Sequence, residues 1–212
     1  MNRRSFLSGV ASTAAFGGIL GCGEAGDATE DGGETRSFND LIETRRSVRR
    51  YAPSRIEKDE LSAIVSEALN APSWKNHEET RYHIAQGDEA KSAIWNEALP
   101  SFNKANSENA AALVVVTFKK GLSGFDNGRK VNELGDMWGA YDAGLASSYF
   151  VLAAKNHGWD TLIMGIRDAD ALRRILTIPE DEIVMSVIAV GKSAQPYFKR
   201  ARKNAEEVMN VK

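Results

Sequence analysis

The chain has 212 residues, 42% of them hydrophobic and 26% charged, with a formal net charge of −2. That balance describes one globular domain large enough to bury its own core, and it excludes a surface built to coat nucleic acid. A single cysteine, Cys22, excludes an internal disulfide and a thiolate metal cluster, and His77, His83 and His157 are too scattered for a metal site, so no metal is expected.

Residues 1–21 have the character of an export signal. Arg3 and Arg4 supply a charged start, and Phe6 and Leu7 open a run of small and apolar residues ending at Leu20. Rich in glycine, alanine and serine, the run falls short of the ~18 apolar residues of a spanning helix. Arg3-Arg4-Ser5-Phe6-Leu7 resembles a twin-arginine signal, the route for proteins that fold before crossing the membrane. Ile19-Leu20-Gly21-Cys22 resembles a lipobox, in which the cysteine is lipidated and becomes the new N-terminus. Cys22 is therefore the expected lipid anchor, holding the protein to a membrane on the extracytoplasmic side. Residues 22–36 carry no large apolar side chain and are expected to form a flexible tether, with the folded domain spanning 37–212.

After a short apolar-periodic piece (Phe38, Leu41, Ile42) comes Thr44-Arg-Arg-Ser-Val-Arg-Arg-Tyr51, with four arginines and a serine. Guanidinium groups bond phosphate oxygens in planar pairs and a hydroxyl adds a donor, so the stretch fits either a phosphate-bearing ligand or a solvated basic patch. Leu61, Ile64, Val65, Ala68 and Leu69 recur at helical spacing behind Asp59 and Glu60, and that helix is expected to stop at Ala71-Pro72. Ala71-Pro-Ser-Trp-Lys-Asn76 is a polar loop able to present side chains and N–H groups to a flat heteroaromatic ring, or simply a connection to a strand over Arg81–Ala85.

Glu89–Leu99 is predicted helical, Pro100–Asn109 a polar mobile segment, and Ala111–Phe118 a strand buried on both faces. Gly121–Lys130 is expected to be a surface loop. From Asn132 to Asn156, Leu134, Trp138, Tyr141, Leu145, Tyr149 and Leu152 mark one helical face while Phe150, Val151 and Ala154 fill another. A helix apolar nearly all round is buried in a core or a subunit interface, and Gly135, Gly139 and Gly144 within it suggest close helix–helix approach. Trp159–Met164 is a short strand candidate ending at Gly165, Asp168–Leu176 an amphipathic helix capped by Asp168, and Ile183–Val190 a second buried strand. The tail from Pro196 is basic. No GxGxxG follows any strand, which disfavours a nicotinamide Rossmann domain.

Taken in order, Arg45-Arg46-Ser47-Val48-Arg49, Ala71-Pro72-Ser73 with Asn76, Asp142-Ala143-Gly144, Met164-Gly165, Ile178-Pro179, Gly191 and Arg202-Lys203-Asn204-Ala205-Glu206-Glu207 resemble the nitroreductase family of FMN-dependent oxidoreductases. The resemblance implies an α+β fold, a small central sheet flanked by helices, in an intertwined homodimer with FMN at the interface. It implies that Arg45, Arg46, Ser47 and Arg49 hold the FMN phosphate and the polar edge of the ring, with Arg200 and Arg202 completing the phosphate site. Pro72, Ser73 and Asn76 would border the ring from the other subunit, and backbone groups at Met164 and Gly165 would approach its N5 side. No side chain would act as acid or base, since the flavin carries the chemistry between a small-molecule electron donor and a nitroaromatic- or quinone-like acceptor. An electron-relay or binding lipoprotein that docks with a redox partner is the alternative. The family often has Gln-Pro-Trp where this chain has Glu78-Glu79-Thr80, and two carboxylates there would disfavour anionic substrates.

Overall fold

The computed structural model describes residues 36–196 and 199–212. The export signal, the lipobox with Cys22 and residues 22–35 of the tether lie outside the described residues.

The fold is α+β. Its centre is β7 (Glu182–Ser193), a twelve-residue strand whose Val187, Ile188, Ala189 and Val190 are all fully buried. On one edge β7 pairs antiparallel with β3 (Ala112–Lys119), which pairs in turn with β2 (Thr80–Ala85). β7 also pairs antiparallel with two short strands, β6 (Asp160–Met164) opposite Gly191 to Val187 and β1 (Tyr51–Ala52) opposite Ser193 and Lys192. A β-bulge between Val116 and Thr117 interrupts the β3–β7 register.

Both faces of the sheet are covered, which is why β3 lacks alternation: seven of its eight residues are buried. On one face Val114, Val116 and Phe118 meet Leu61 and Ile64 of α2 (Lys58–Ala68) and Phe150 and Ala154 of α5 (Met137–Asn156). On the other, Leu113, Val115, Leu162 and Val187 share a second core with Ile94 and with Leu172 of α6 (Ala169–Leu176). Asp168 caps α6 by accepting the N–H groups of Asp170 and Ala171. Two further helices are short: α1 (Phe38–Thr44), opened by a Ser37–Asp40 capping box, and α3 (Asp88–Ala93), which continues into a π-helical turn over Ile94–Ala98.

Four sequence expectations are corrected. Pro100–Asn109 is not a mobile polar stretch: it contains α4 (Ser101–Asn106), held by buried Asn103 donating to the Ile166 carbonyl at 2.8 Å and Trp95 donating to that of Lys104 at 2.7 Å. The Gly121–Lys130 loop contains a hairpin of β4 (Phe125–Asp126) and β5 (Arg129–Lys130) around Asn127-Gly128, whose φ values of 45° and 73° suit a type I′ turn. The long helix starts at Met137 rather than Asn132, because Gly135 at φ 50° lies outside helical space. Lastly, the helical glycines do not mark one close helix–helix contact. Gly139 lets α5 press on the Phe118 ring, where a Cβ would come within 2.4 Å, whereas a Cβ on Gly144 would meet nothing within 4 Å.

Among the described residues no helix is long and apolar enough to cross a membrane.

Candidate functional site

At Arg45 the chain leaves α1 in an extended conformation and runs beside the sheet edge. Ser47 bridges Thr161 in parallel, and the Val48 N–H donates to the Thr161 carbonyl at 3.0 Å. Val48 and Tyr51 turn into the core, and the intervening arginines are left facing outward. They line a cavity of about 530 Å³ with Arg45, Arg46, Ser47, Arg49 and Arg50 on one side and Arg200 and Arg202 of the C-terminal segment on the other. Six arginines thus converge from two parts of the chain far apart in sequence.

Their hydrogen bonds go to neighbouring carbonyls: Arg46 to that of Arg45 at 2.6 Å, Arg49 to that of Ser47 at 3.2 Å. Among the described residues none of the six pairs with a carboxylate, although Lys199 nearby in sequence reaches Glu43 at 3.5 Å. Burial, with the charges of Arg46 and Arg202, pulls the Arg45 pKa below its ordinary value. Like charges held together without counter-ions fit an anion with several acceptor oxygens, and a dianionic phosphate suits planar guanidinium donors. Arg50, Ser193 and Gln195 join this lining without having been singled out in the sequence. Arg50 belonged to the same run, but Ser193 and Gln195 arrive only because β1 pairs with the end of β7.

Thr161 lies beside this cavity, and four residues along β6 the strand ends at Gly165, about 13 Å away at ~3.3 Å per residue. The Met164 side chain is buried in the core, so only its backbone is available, while Gly165 is exposed and a Cβ there would meet nothing. The turn beyond is anchored by Asn103 on the Ile166 carbonyl and by the Asp168 N–H on the Ala98 carbonyl, each at 2.8 Å.

Pro72, Ser73 and Asn76 lie elsewhere. Pro72 and Ser73 line a small hollow against Asp142 and Ala146 of α5, and none of the three lines the arginine cavity. The loop is tightly tied. Ser73 Oγ accepts the Glu78 N–H at 2.9 Å, Asn76 Nδ2 donates to Glu78 Oε1 at 2.8 Å, and Lys75 pairs with Asp126 of the hairpin at 2.8 Å. The Trp74 ring packs on Trp138, centroids 5.0 Å apart, and Trp138 on Tyr141 at 5.8 Å. Lys75, Asn76 and Glu78 all have positive φ, a conformation that non-glycine residues hold only where the surroundings impose it. Beside the loop, α5 shows a stripe of Tyr141, Leu145, Tyr149 and Leu152 that the single chain leaves partly or largely exposed, Tyr141 by 60%.

The pair of carboxylates expected to repel anionic substrates is also corrected. Glu78 is exposed, but Glu79 is wholly buried and turned toward Ser123, the left-handed backbone at Glu78 turning the chain just before β2.

A profile of the nitroreductase family matches residues 42–192 of this chain. A protein of Archaeoglobus fulgidus, named as a candidate NADH dehydrogenase/NAD(P)H nitroreductase, is 28% identical over 160 residues, covering 71% of this chain and 82% of its own. Among solved structures, a nitroreductase family protein of Streptococcus pneumoniae superposes with a TM-score of 0.72 at 17% identity, over 83% of this chain and 100% of its own. A candidate nitroreductase of Exiguobacterium sibiricum, solved in complex with FMN, superposes with a TM-score of 0.69 at 22% identity, over 84% and 98%.

Proposed function

The chain belongs to the nitroreductase family, and on that premise we propose that it is an FMN-dependent oxidoreductase that takes two electrons from a nicotinamide nucleotide and delivers them to a small organic acceptor of nitroaromatic or quinone type. The observation that carries this reading is the cavity of six arginines with no carboxylate partner among the described residues. Such a site has the charge, the donor geometry and the size for the phosphate end of FMN.

FMN held there would supply the two-electron chemistry between donor and acceptor. Arg45, Arg46, Arg49, Arg200 and Arg202 neutralise the phosphate, and the Ser47 hydroxyl adds a donor. Exposed Gly165, one strand-length away, offers a backbone N–H where no side chain of its own intrudes, suited to the N5 edge of the ring. Pro72, Ser73 and Asn76 border the ring of the partner copy, since within one chain they stand apart from the arginine cavity. The exposed stripe on α5, with Phe38 and Ile42 of α1, is the surface that brings the copies together as a homodimer. No side chain is assigned an acid or base role. The export motif and Cys22 support a lipid-anchored protein on the extracytoplasmic face, loaded with FMN before transport.

The test is to purify the protein, identify the bound chromophore, and reduce it anaerobically with NADH and NADPH before adding nitroaromatic and quinone acceptors. FMN reduced by a nicotinamide nucleotide and reoxidised by an acceptor is the expected outcome. Protein that takes up no flavin overturns the cofactor assignment, and FMN that neither nucleotide reduces overturns the donor.

A further inference from the structure

Glu79, Ser123 and Asp142 come from the residue before β2, the turn before β4 and the first half of α5, and they meet in the interior with exposures of 0%, 1% and 4%. Ser123 Oγ lies 2.6 Å from Glu79 Oε1 and 2.7 Å from Asp142 Oδ2. A hydroxyl has one proton to donate. It can satisfy one of these contacts; the other brings two oxygens together with nothing between them unless a carboxyl carries its own hydrogen. The count of hydrogens therefore requires one protonated carboxyl in the trio.

The surroundings decide which. Asp142 Oδ2 also accepts the Trp74 N–H at 2.8 Å, so that oxygen serves as an acceptor. Beside the Ser123 contact Glu79 has only its own backbone N–H, and its Oε2 is buried without a partner among the described residues, a position costly for an ionised oxygen and far less so for the carbonyl of an acid. With Glu79 as the acid, its hydrogen goes to Ser123 Oγ, the Ser123 hydrogen to Asp142, and Asp142 holds Trp74. Burial pushes the Glu79 carboxyl above its ordinary value, and the neighbouring Asp142 adds to this against the opposing Ser123 bond. The cations on adjoining elements are engaged elsewhere: Lys119, whose N–H meets the Glu79 carbonyl, turns its ammonium to Asp181, and Lys75 turns to Asp126. The Glu78 carboxylate is bonded to Asn76.

We propose that Glu79 is a positioning residue that stays protonated at neutral pH, and that the chain acid–hydroxyl–carboxylate–N–H locks the Ser73–Glu78 loop onto α5 in the shape its cofactor contacts require. The cofactor part rests on the function proposed above. The lock accounts for three left-handed residues within four positions, Lys75, Asn76 and Glu78, which no glycine relieves. Loss of the Glu79 proton puts two negative charges on one hydroxyl, with a single hydrogen to share, and their repulsion pushes Asp142 away and weakens its bond to the Trp74 N–H.

Carboxyl-carbon NMR of the whole protein labelled in glutamate tests the proton directly. One glutamate carboxyl should be neutral at about pH 7, where the free side chain is ionised, and that signal should be absent from Glu79→Gln. If every glutamate in the parent is ionised, the proposal is wrong, whether or not Glu79→Gln folds. Hydrogen exchange at the Trp74 amide and FMN affinity then test the lock. Glu79→Gln keeps a donor facing Ser123 and should stay within about twofold of the parent, whereas Glu79→Ala, which leaves buried partners unsatisfied, should exchange faster and bind FMN roughly tenfold more weakly. As pH rises, exchange in the parent should accelerate and that in Glu79→Gln should not. Equal behaviour of the alanine and glutamine variants would reduce Glu79 to a packing residue. The NMR and exchange measurements need no flavin, so a failure of the cofactor assignment shows up separately as protein with an intact lock that takes up no FMN.

Discussion

Single residues set the cofactor energetics. Each charge-assisted phosphate contact is worth ~1.5–3 kcal/mol, so Arg45→Ala with Arg49→Ala is expected to weaken FMN binding by about a hundredfold or more while leaving the fold intact. Retention of FMN through dialysis equal to the parent's would remove the phosphate from this cavity. The same scale carries a pH effect. Burial raises the Glu79 carboxyl, so over the interval between its ordinary value and the raised one the folded chain holds a proton that the unfolded chain has released. Stability rises with pH only where the unfolded state binds more protons; here it binds fewer. The contribution is therefore complete below the unfolded pKa of ~4.3 and fades as pH rises through the folded value. Urea midpoints of the parent should fall toward alkaline pH more steeply than those of Glu79→Gln.

At the scale of elements, α5 decides most. Its glycines were legible as unusual but not as different from one another, because a linear pattern cannot say what stands opposite each. Opposite Gly139 is the Phe118 ring of β3, and an added methyl would come within 2.4 Å of it. Gly139→Ala is expected to cost ~1–3 kcal/mol by overpacking, visible as a lowered melting temperature. Gly144→Ala meets open space within the chain and should raise helix stability by up to ~1 kcal/mol, unless a partner subunit already fills that space. A melting temperature for Gly139→Ala at or above the parent's would mean that β3 and α5 are packed less closely than described. The hairpin at Asn127-Gly128 was also within reach of the sequence, through a dipeptide that suits a type I′ turn, yet strands of two residues leave no periodic signal.

For the whole molecule, the exposed Tyr141 and Tyr149 on a helix whose other side is the core are the mark of a surface meant to be covered. Charging it by Tyr141→Glu with Tyr149→Glu should convert a dimer to monomers by light scattering at low micromolar concentration, and FMN should be lost with it if the loop at Ser73 and the arginine cavity serve one flavin from two copies. A variant that remains dimeric would place the interface elsewhere. The proposed attachment to a membrane rests on the N-terminal segment of the sequence. Cys22→Ser is expected to move the protein from the membrane fraction to the soluble one without changing its flavin content, since every proposed flavin contact lies beyond Ser37. Persistence of Cys22→Ser in the membrane fraction would defeat the lipid-anchor reading.

Much of this protein is local, and the local part was open to reading. The largely apolar runs Ala111–Phe118 and Ile183–Val190 mark the buried strands found at Ala112–Lys119 and Glu182–Ser193, the Asp168 cap and the Ser37 start follow from hydrogen-bonding chemistry within three residues, and the arginine run is visible as a cluster before any fold is known. What the tertiary structure alone decided are meetings between distant residues. Arg200 and Arg202 reach the first arginine run, and Ser193 reaches it through β1, only because β7 carries the chain back to that edge. Glu79 was expected to act with Glu78 against anionic substrates, and only the approach of Ser123 and Asp142, 44 and 63 positions away in numbering, makes it a buried acid. Charge and periodicity are properties of a sequence. Burial and the count of hydrogens at a contact are properties of what the fold places opposite each group, and no single segment contains that information.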